Sequence, residues 1–411
     1  MKLKGTLVLF FVLMAARGVG QFRNILLDEQ RGTSPGACDP TVAINPRYPN
    51  NIIAGSHPDN VYFTKDAGKT WTKKKMTSAF GISGDPAVVV DDKGTFFYLH
   101  ISDPTSGQGG EETGRFDRIQ IHKSADGGDT WTEGESVGFN PPKEQNRQRA
   151  AIDSRGNLFV AWTQSDKDGD LEPECKTNVL LSMSKNGKKW TEPAIISQNS
   201  GDCADDENTP AGAFPAVSVD GKVFVAWANM EKILLDRSFN GGEWWLSNDI
   251  AVGEQKGGWN LKIPGHNSSN GMPVLMSDHS KTQYRGSLYV VWADQRNGEK
   301  DTDIWFSRSH NFGDNWSLPT RVNNDARGKH QYMPSMAVDA ATGYVYILYY
   351  DRRDHDDSRT DVYLAYSNDG GATFKNVKIS EHPFVPQEEG FFGDSISVAA
   401  HKGTIVPIST R

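Results

Sequence analysis

The sequence predicts an all-β fold, a β-propeller of four-stranded antiparallel blades. An eight-residue pattern of the type Ser-x-Asp-x-Gly-x-Thr-Trp recurs six times, about 60 residues apart, and each copy follows an alternating apolar segment typical of a strand. After residue 20, no ten-residue stretch keeps helical periodicity. Repeats of this length indicate units that bury their apolar faces against their neighbours. The copies begin at Thr64, Ser124, Ser184, Ser238, Ser309 and Ser367.

The first segment, residues 1–20, is predicted to be a signal peptide. Lys2 and Lys4 precede an apolar run from Leu7 to Ala16, and small residues follow at the spacing of a cleavage site. This run is about half as long as a membrane span requires, and no later run is longer. We therefore expect a secreted or periplasmic protein without a membrane span, in which residues 21–411 form a single propeller domain.

Charge and cysteine content limit the partners and the cross-links. With 44 basic and 52 acidic residues the net charge is -8 at pH 7, so nucleic acid is not an expected partner. Export permits a disulfide. Cys175 and Cys203, both in loop-like segments, are the expected pair and leave Cys38 over, whereas three free thiols are the alternative.

Each repeat unit contains four predicted strands, except the last. Two apolar strands precede the one that leads into the repeated pattern, and a short strand follows the tryptophan. The last unit has two strands before Arg411, and Phe22–Asp28 is predicted to be a strand that completes its blade and closes the ring. We expect seven blades, with six as the alternative. The first strands are expected at 39–45, 85–91, 149–153, 214–220, 272–278, 333–339 and 393–400.

Turn chemistry explains the repeated pattern. Its carboxylate accepts N–H groups of its own turn, its glycine permits unusual backbone angles, and its tryptophan packs between sheets. Three copies carry Asn186, Asn240 or Asn311 instead of aspartate, which proton transfer or metal binding would tolerate poorly. These turns join third to fourth strands. We therefore expect the functional site on the opposite face, where loops enter first strands and join second to third strands.

On these repeats, the chain resembles the sialidase-type (BNR, Asp-box) propeller superfamily, including exported Bacteroidetes sialidase-like proteins. The resemblance covers essentially all of residues 21–411. The superfamily includes sialidases, other glycosidases, polysaccharide lyases and non-enzymatic receptors or assembly factors. The resemblance implies an exported exo-glycoside hydrolase that acts on terminal, acidic sugars of glycans.

Arginines and carboxylates accumulate in the loops of the site-bearing face. Two of these loops share an Asp-x-Arg pattern. Guanidinium groups bind a carboxylate bidentately, so these arginines are expected to converge on an anionic sugar. Salt bridges that stabilise the blades are the alternative. The expected substrate-binding residues are Arg147, Arg149, Asp294, Arg296, Asp351, Arg352 and Arg353.

The resemblance also implies catalytic residues. A sialidase-like site would use Tyr332 as nucleophile with Glu388 or Glu389, and Asp85 or Asp103 as proton donor. Ordinary paired carboxylates, such as Asp85 with Asp394, are an alternative on the same face. The expected catalytic residues are therefore Asp85, Tyr332, Glu388 and Asp394.

Two further functions stay open. No Arg-Ile-Pro tripeptide, the N-terminal signature of sialidases, occurs in the chain. Its absence favours a non-catalytic propeller that binds a glycan or a protein. A polysaccharide lyase with Tyr332 and His330 as acid and base is the third possibility.

No cofactor and no metal are expected, because no spacing is typical of a zinc or haem site. Asp166, Asp168 and Asp170 alternate as in a calcium loop, but the glycine and the final glutamate are misplaced. A solvated acidic loop is expected, with calcium as the alternative. Several aromatic residues near this face are expected to pack in the core, with stacking on a sugar as the alternative. They are Trp162, Trp227, Trp259, Trp292 and Tyr350.

Overall fold

The computed structural model describes residues 22–29, 36–106, 116–386 and 391–411. The predicted signal peptide and the candidates Glu388 and Glu389 lie outside the described residues. Within these ranges, no helix is long and apolar enough to cross a membrane. The secondary structure of the described residues consists of strands and one short 3-10 helix at Pro104–Ser106.

Six sheets contain four antiparallel strands each, paired in chain order. Blade 1 contains β1 (Thr41–Ile44), β2 (Ile52–Ser56), β3 (Asn60–Thr64) and β4 (Thr72–Lys75). Blade 2 contains β5 (Gly84–Val90), β6 (Phe96–Ile101), β7 (Ile119–Ser124) and β8 (Glu135–Val137). Blade 3 contains β9 (Glu144–Ile152), β10 (Leu158–Ser165), β11 (Thr177–Ser184) and β12 (Ala194–Ile195).

The remaining strands complete the ring. Blade 4 contains β13 (Ala211–Val217), β14 (Val223–Asn229), β15 (Lys232–Ser238) and β16 (Ile250–Glu254). Blade 5 contains β17 (Val274–Ser277), β18 (Leu288–Asp294), β19 (Asp303–Ser309) and β20 (Thr320–Arg321). Blade 6 contains β21 (Gln331–Val338), β22 (Val345–Asp351), β23 (Asp361–Ser367) and β24 (Lys375–Lys378). A last sheet has two strands, β25 (Ser397–His401) and β26 (Thr404–Ile408).

The predicted β-propeller is confirmed, and its complete blades number six, the alternative, rather than seven. The two-stranded sheet lies between blade 6 and blade 1, because β25 contacts both β21 and β1. The prediction that Phe22–Asp28 forms a strand is wrong. This segment binds through side chains instead: Asn24 donates to the Ile379 carbonyl at 3.0 Å, and Asp28 accepts from the Tyr62 hydroxyl at 2.5 Å.

The core is divided into apolar clusters that lie between adjacent sheets. Side chains of the second strands fill them, and Trp162, Trp227 and Trp292 are fully buried. The predicted core role of these tryptophans is confirmed. The cluster around Ile396 and Val398 joins the last sheet to blade 6, and a separate cluster joins it to blade 1. Apolar burial therefore closes the ring.

The six repeated segments form the turns between third and fourth strands, as predicted. In the second copy, Asp126 accepts from the Ser124 hydroxyl at 2.9 Å and from the Thr130 N–H at 3.0 Å. In the fourth copy, Asn240 accepts from the Ser238 hydroxyl at 2.8 Å in the same way. These turns lie at the ends of the blades opposite the loops that enter the first strands.

Candidate functional site

The first strands of all seven sheets surround an apolar axial cavity of about 470 Å³. A second cavity of about 410 Å³, the mouth cavity, lies on the face opposite the repeated turns. Arg147, Asn270, Met272 and Asp394 line both cavities, so the two adjoin. The lining of the mouth cavity also includes Asp205, Trp259, Asn260, Asn267, Ser268, Ser269 and Phe391.

A β-bulge at the start of the first strand turns residues toward this cavity. In blade 2 the pairing of the first and second strands shifts its register between Gly84 and Ala87. In blade 3 the corresponding shift occurs at Arg147 of the first strand. Asp85 and Arg147 there have φ angles of 52° and 54°. Asp39, just before β1, has a φ of 49°. Non-glycine residues in the left-handed region store strain and cluster at functional sites, so these three positions mark the site.

Arg147 is the central cation of the mouth cavity. Its guanidinium donates to both carboxylate oxygens of Asp205, at 2.8 and 3.2 Å, and lies 5.0 Å from the centre of the Trp259 ring. Its Nε is 3.7 Å from an oxygen of Asp394 and has no hydrogen-bond partner among the described residues. Burial alone would lower the pKa of Arg147, but Asp205 and Asp394 outweigh it and raise the pKa.

Three carboxyl groups converge beside Arg147. Asp39 accepts from the backbone N–H groups of Asp394 at 2.6 Å and Ser395 at 3.1 Å. Asp85 accepts from the Arg147 N–H at 3.1 Å. Burial, together with Asp394 and Asp85, holds the pKa of Asp39 well above its usual range. Burial and Asp85 also raise the pKa of Asp394, although Arg147 and Arg149 oppose this rise.

The charge of the site is negative when all its acids are ionised. Arg147 and Arg149 face Asp39, Asp85, Asp205 and Asp394, and Arg149 donates to the Gln148 carbonyl at 2.9 Å. Asp394 is 19% exposed at its side chain and Arg147 is 14% exposed, so both reach the cavity. These carboxylates would repel an anionic ligand, whereas they would not repel a neutral polar molecule.

Of the sequence-predicted site residues, the structure brings together Asp85, Asp394, Arg147 and Arg149. Asp39 and Asp205 complete this group and were missed. Trp259, for which the sequence left core packing and stacking on a sugar open, is buried and lines the mouth cavity. The signal for Asp39 was present, because Asp39-Pro40 in the first unit matches Asp85-Pro86 in the second. Asp205 carries no such signal, since it belongs to an irregular loop that only the tertiary structure places near Arg147.

Tyr332 lies away from the mouth cavity and is fully buried. Its hydroxyl is 3.2 Å from the Thr360 hydroxyl, and its ring contacts those of His266 and Tyr350. Burial raises the pKa of Tyr332 above its ordinary value. His330 is similarly engaged, with its Nδ1 3.0 Å from the Thr302 hydroxyl. A buried phenol cannot attack a sugar without rearrangement of the blade.

The two Asp-x-Arg loops form ion pairs within their own blades. Arg296 Nε donates to Asp294 at 2.9 Å and stacks 4.1 Å from the centre of the Trp305 ring. Arg353 Nε donates to Asp351 at 2.8 Å. Arg352 is buried, and its guanidinium donates to the Pro264 carbonyl at 2.5 Å. None of these arginines lines either cavity, so the expected convergence on one ligand is not observed.

The acidic loop at residues 166–174 uses its carboxylates for local contacts. Asp166 pairs with Lys143 at 2.8 Å, and Asp170 pairs with Lys167 at 3.1 Å. Asp103, another candidate proton donor, accepts from the Thr105 N–H at 3.2 Å at the start of the 3-10 helix. Calcium binding to the acidic loop stays a prediction.

Comparison with known proteins supports the fold. No family model and no curated protein matches the chain. Among solved structures, a protein of unknown function from Dyadobacter fermentans aligns at 16% identity over 78% of this chain and 92% of that chain, with a TM-score of 0.51. An inhibitor complex of a mutant α-L-arabinofuranosidase, Arb93A of Fusarium graminearum, aligns at 13% identity over 85% and 97%, with a TM-score of 0.50.

A Hadza microbial sialidase, Hz136, aligns at 14% identity over 85% of this chain and 68% of that chain, with a TM-score of 0.47. At these identities the similarity concerns the arrangement of the blades and not the chemistry of the site.

Proposed function

We propose that this chain, a propeller of the sialidase-like fold, is a glycoside hydrolase that releases neutral sugars from the ends of glycans. One observation carries the proposal: Asp394 and Arg147 line the mouth cavity, Asp85 accepts from the Arg147 N–H at 3.1 Å, and Arg147 stacks on Trp259. Glycoside hydrolases usually cleave a glycosidic bond with paired carboxyl groups in a cavity that also contains an aromatic ring.

The two carboxyl groups have distinct positions. Asp394 is partly exposed to the cavity and lies 3.7 Å from Arg147 Nε, so we assign it the role of the acid that gives a proton to the leaving oxygen. Asp85 is fixed by the Arg147 backbone N–H at 3.1 Å, so we assign it to the face where water attacks or a covalent bond forms.

The charge of the site favours a neutral sugar over the acidic one that the resemblance implies. Asp205 already occupies the Arg147 fork that would otherwise hold a carboxylate. Asp394 lines the same cavity and adds further negative charge when it is ionised. The side-chain carbonyl of Asn260, whose NH2 group donates to the Asp205 carbonyl, can accept from a neutral hydroxyl group at the lining instead.

The predicted signal peptide supports action outside the cytoplasm, on glycans in the periplasm or the surroundings of the cell. Attack on the ends of glycans is the part of the proposal that the resemblance to sialidases implies.

The test is release of sugar from a panel of aryl glycosides. We expect turnover of a neutral pentoside or hexoside and none of sialosides or uronosides. Asp394→Asn and Asp85→Asn should each lower kcat/KM by at least about a hundredfold, since each removes a proton-transfer or charge-stabilising group. Asp166→Asn removes an equivalent carboxylate outside the cavity and should leave kcat/KM unchanged.

A non-catalytic glycan-binding propeller is the second candidate. The observation that favours it is the ion pair between Arg147 and Asp205, because a guanidinium fixed in this way can hold a ligand without taking part in a reaction. If the folded protein releases no sugar but retains a neutral glycan on an array, and Arg147→Ala abolishes that retention, the hydrolase proposal is wrong and the binding module stands.

A further inference from the structure

A set of metal-ligating side chains lies beside the mouth cavity, in blade 1. One donor atom each of Cys38, Asp39 and His57 lie within 4.8 Å of one another. In the described part of the chain, these residues form the only such group of three histidine, cysteine or acidic side chains. Cys38 and Asp39 are buried, and His57 is half-buried.

The backbone brings the three donors together. The His57 N–H donates to the Cys38 carbonyl at 2.7 Å, which ties the end of β2 to the segment that enters β1. Asp39 is oriented by its Oδ1, which accepts the N–H groups of Asp394 and Ser395. Its Oδ2 therefore points to the cysteine, 3.7 Å from Cys38 Sγ. Such outer hydrogen bonds are typical of metal ligands.

Gly84 makes room for the third donor. A methyl group at this position would overlap the imidazole ring of His57. The φ of Gly84 is 149°, a conformation that other residues rarely adopt. The ring of Phe391, 6.0 Å from that of His57 between centroids, covers the imidazole from another side.

The local charge favours a cation. The carboxyl groups of Asp85 and Asp394 lie near that of Asp39, and the nearest guanidinium, that of Arg147, is already shared with Asp205. A bound divalent cation would displace the proton of the Cys38 thiol to solvent and form a metal–sulfur bond.

We propose that Cys38, Asp39 and His57 form a zinc site. Thiolate, imidazole and carboxylate together are the donors that zinc prefers, whereas calcium and magnesium prefer oxygen alone. Three protein donors leave one position of a tetrahedral zinc for water. Because Asp39 also binds the backbone that enters the last sheet, the metal would stabilise the junction where the two ends of the propeller meet. This inference does not depend on hydrolysis.

The test uses the purified full chain, stripped with a chelator and titrated with Zn²⁺ and with Co²⁺. We expect one Zn²⁺ per chain, a higher Tm with Zn²⁺, and a thiolate-to-cobalt charge-transfer band with Co²⁺. Cys38→Ser should remove that band. His57→Gln should weaken Zn²⁺ binding about a hundredfold, and Gly84→Ala, which displaces His57 without removing a donor, should weaken it about tenfold.

His382→Gln is the matched control, because it removes an exposed imidazole outside the group and should leave the affinity for Zn²⁺ unchanged. The proposal is overturned if the folded wild-type chain gives no charge-transfer band and no stoichiometric Zn²⁺. It is also overturned if His382→Gln weakens binding as much as His57→Gln does. The wild-type measurements decide the matter even if Cys38→Ser does not fold. They use no sugar, so their failure leaves the hydrolase proposal untouched.

Discussion

The repeated turns show that a charged aspartate and a neutral asparagine can accept the same backbone hydrogen bonds at one position of the turn. Asp126 and Asp369 each accept several hydrogen bonds from their own turns, and Asn240 and Asn311 form the equivalent bonds without a charge. Partial burial opposes ionisation, but the bonds from Thr130 and Thr373 outweigh it and lower the pKa of Asp126 and Asp369 to about 2.

These carboxylates should make the fold sensitive to acid. Their pKa is about 3.9 in an unfolded chain and about 2 in the turns. Their contribution to the free energy of unfolding is therefore fully present above pH 4 or so and is lost as the pH falls through about 2. In the double variant Asp126→Asn with Asp369→Asn, the free energy of unfolding in urea should fall less between about pH 4 and about pH 2 than it does in the wild type.

At pH 7 the double variant should lose at most about 1 kcal/mol per site, because both side chains are largely solvated. Glu192→Gln removes an exposed acid elsewhere and serves as the control. Equal acid sensitivity in the wild type and the double variant would contradict the role assigned to the turns.

At the scale of elements, one cross-link supports the site. The predicted disulfide between Cys175 and Cys203 is confirmed, and it anchors the loop that carries Asp205 to the strand β11 region. Thr177 and Gly201 pair through their backbones next to the bridge. The position of Asp205, and with it the fork that holds Arg147, therefore depends on a covalent bond in a loop without regular structure.

Removing the disulfide should loosen this loop. The double variant Cys175→Ser with Cys203→Ser should lower the free energy of unfolding by about 2 to 4 kcal/mol, because the unfolded chain gains freedom. Urea denaturation at neutral pH measures the change. The wild type with reductant should match the double variant, and an unchanged free energy in both would refute the argument.

At the scale of the whole molecule, the ring is closed without a strand from the N-terminal segment. The last sheet packs against blade 6 through Ile396 and Val398 and against blade 1 through Ala399, Val406 and Ile408. Opposite faces of one small sheet thus bury two interfaces. The Asn24 side chain also accepts from the Glu381 N–H at 2.9 Å, which ties the N-terminal segment to the loop that follows blade 6.

A charge placed in this junction should open the ring. Val398→Asp buries an unpaired carboxylate at a position that is 6% exposed, and should lower the free energy of unfolding by about 3 kcal/mol or more. Thr404→Asp adds the same charge at an exposed position of the same sheet and should change it little. Equal thermal melts for the two variants would show that the last sheet does not close the propeller.

Much of the fold was predictable, because repetition averages out local ambiguity. Six turns in the same context fix the order of strands in each blade, and alternation assigns their buried faces. The site was predictable only in part. Asp85 and Arg147 lie at the starts of first strands, which strand order assigns to one face. Strand order does not distinguish Arg147, which reaches the axis, from Arg296, which turns back to Asp294.

The sequence alone determined the propeller and the place of its repeated turns, and it predicted the disulfide and the core tryptophans, since each depends on local pattern or on spacing along the chain. Only the tertiary structure decided that Asp39, Asp394 and Arg147 meet, that Tyr332 is buried, and that Cys38 lies beside His57. Those facts depend on how far each strand bulges and tilts toward a common axis, and contacts between blades set that geometry.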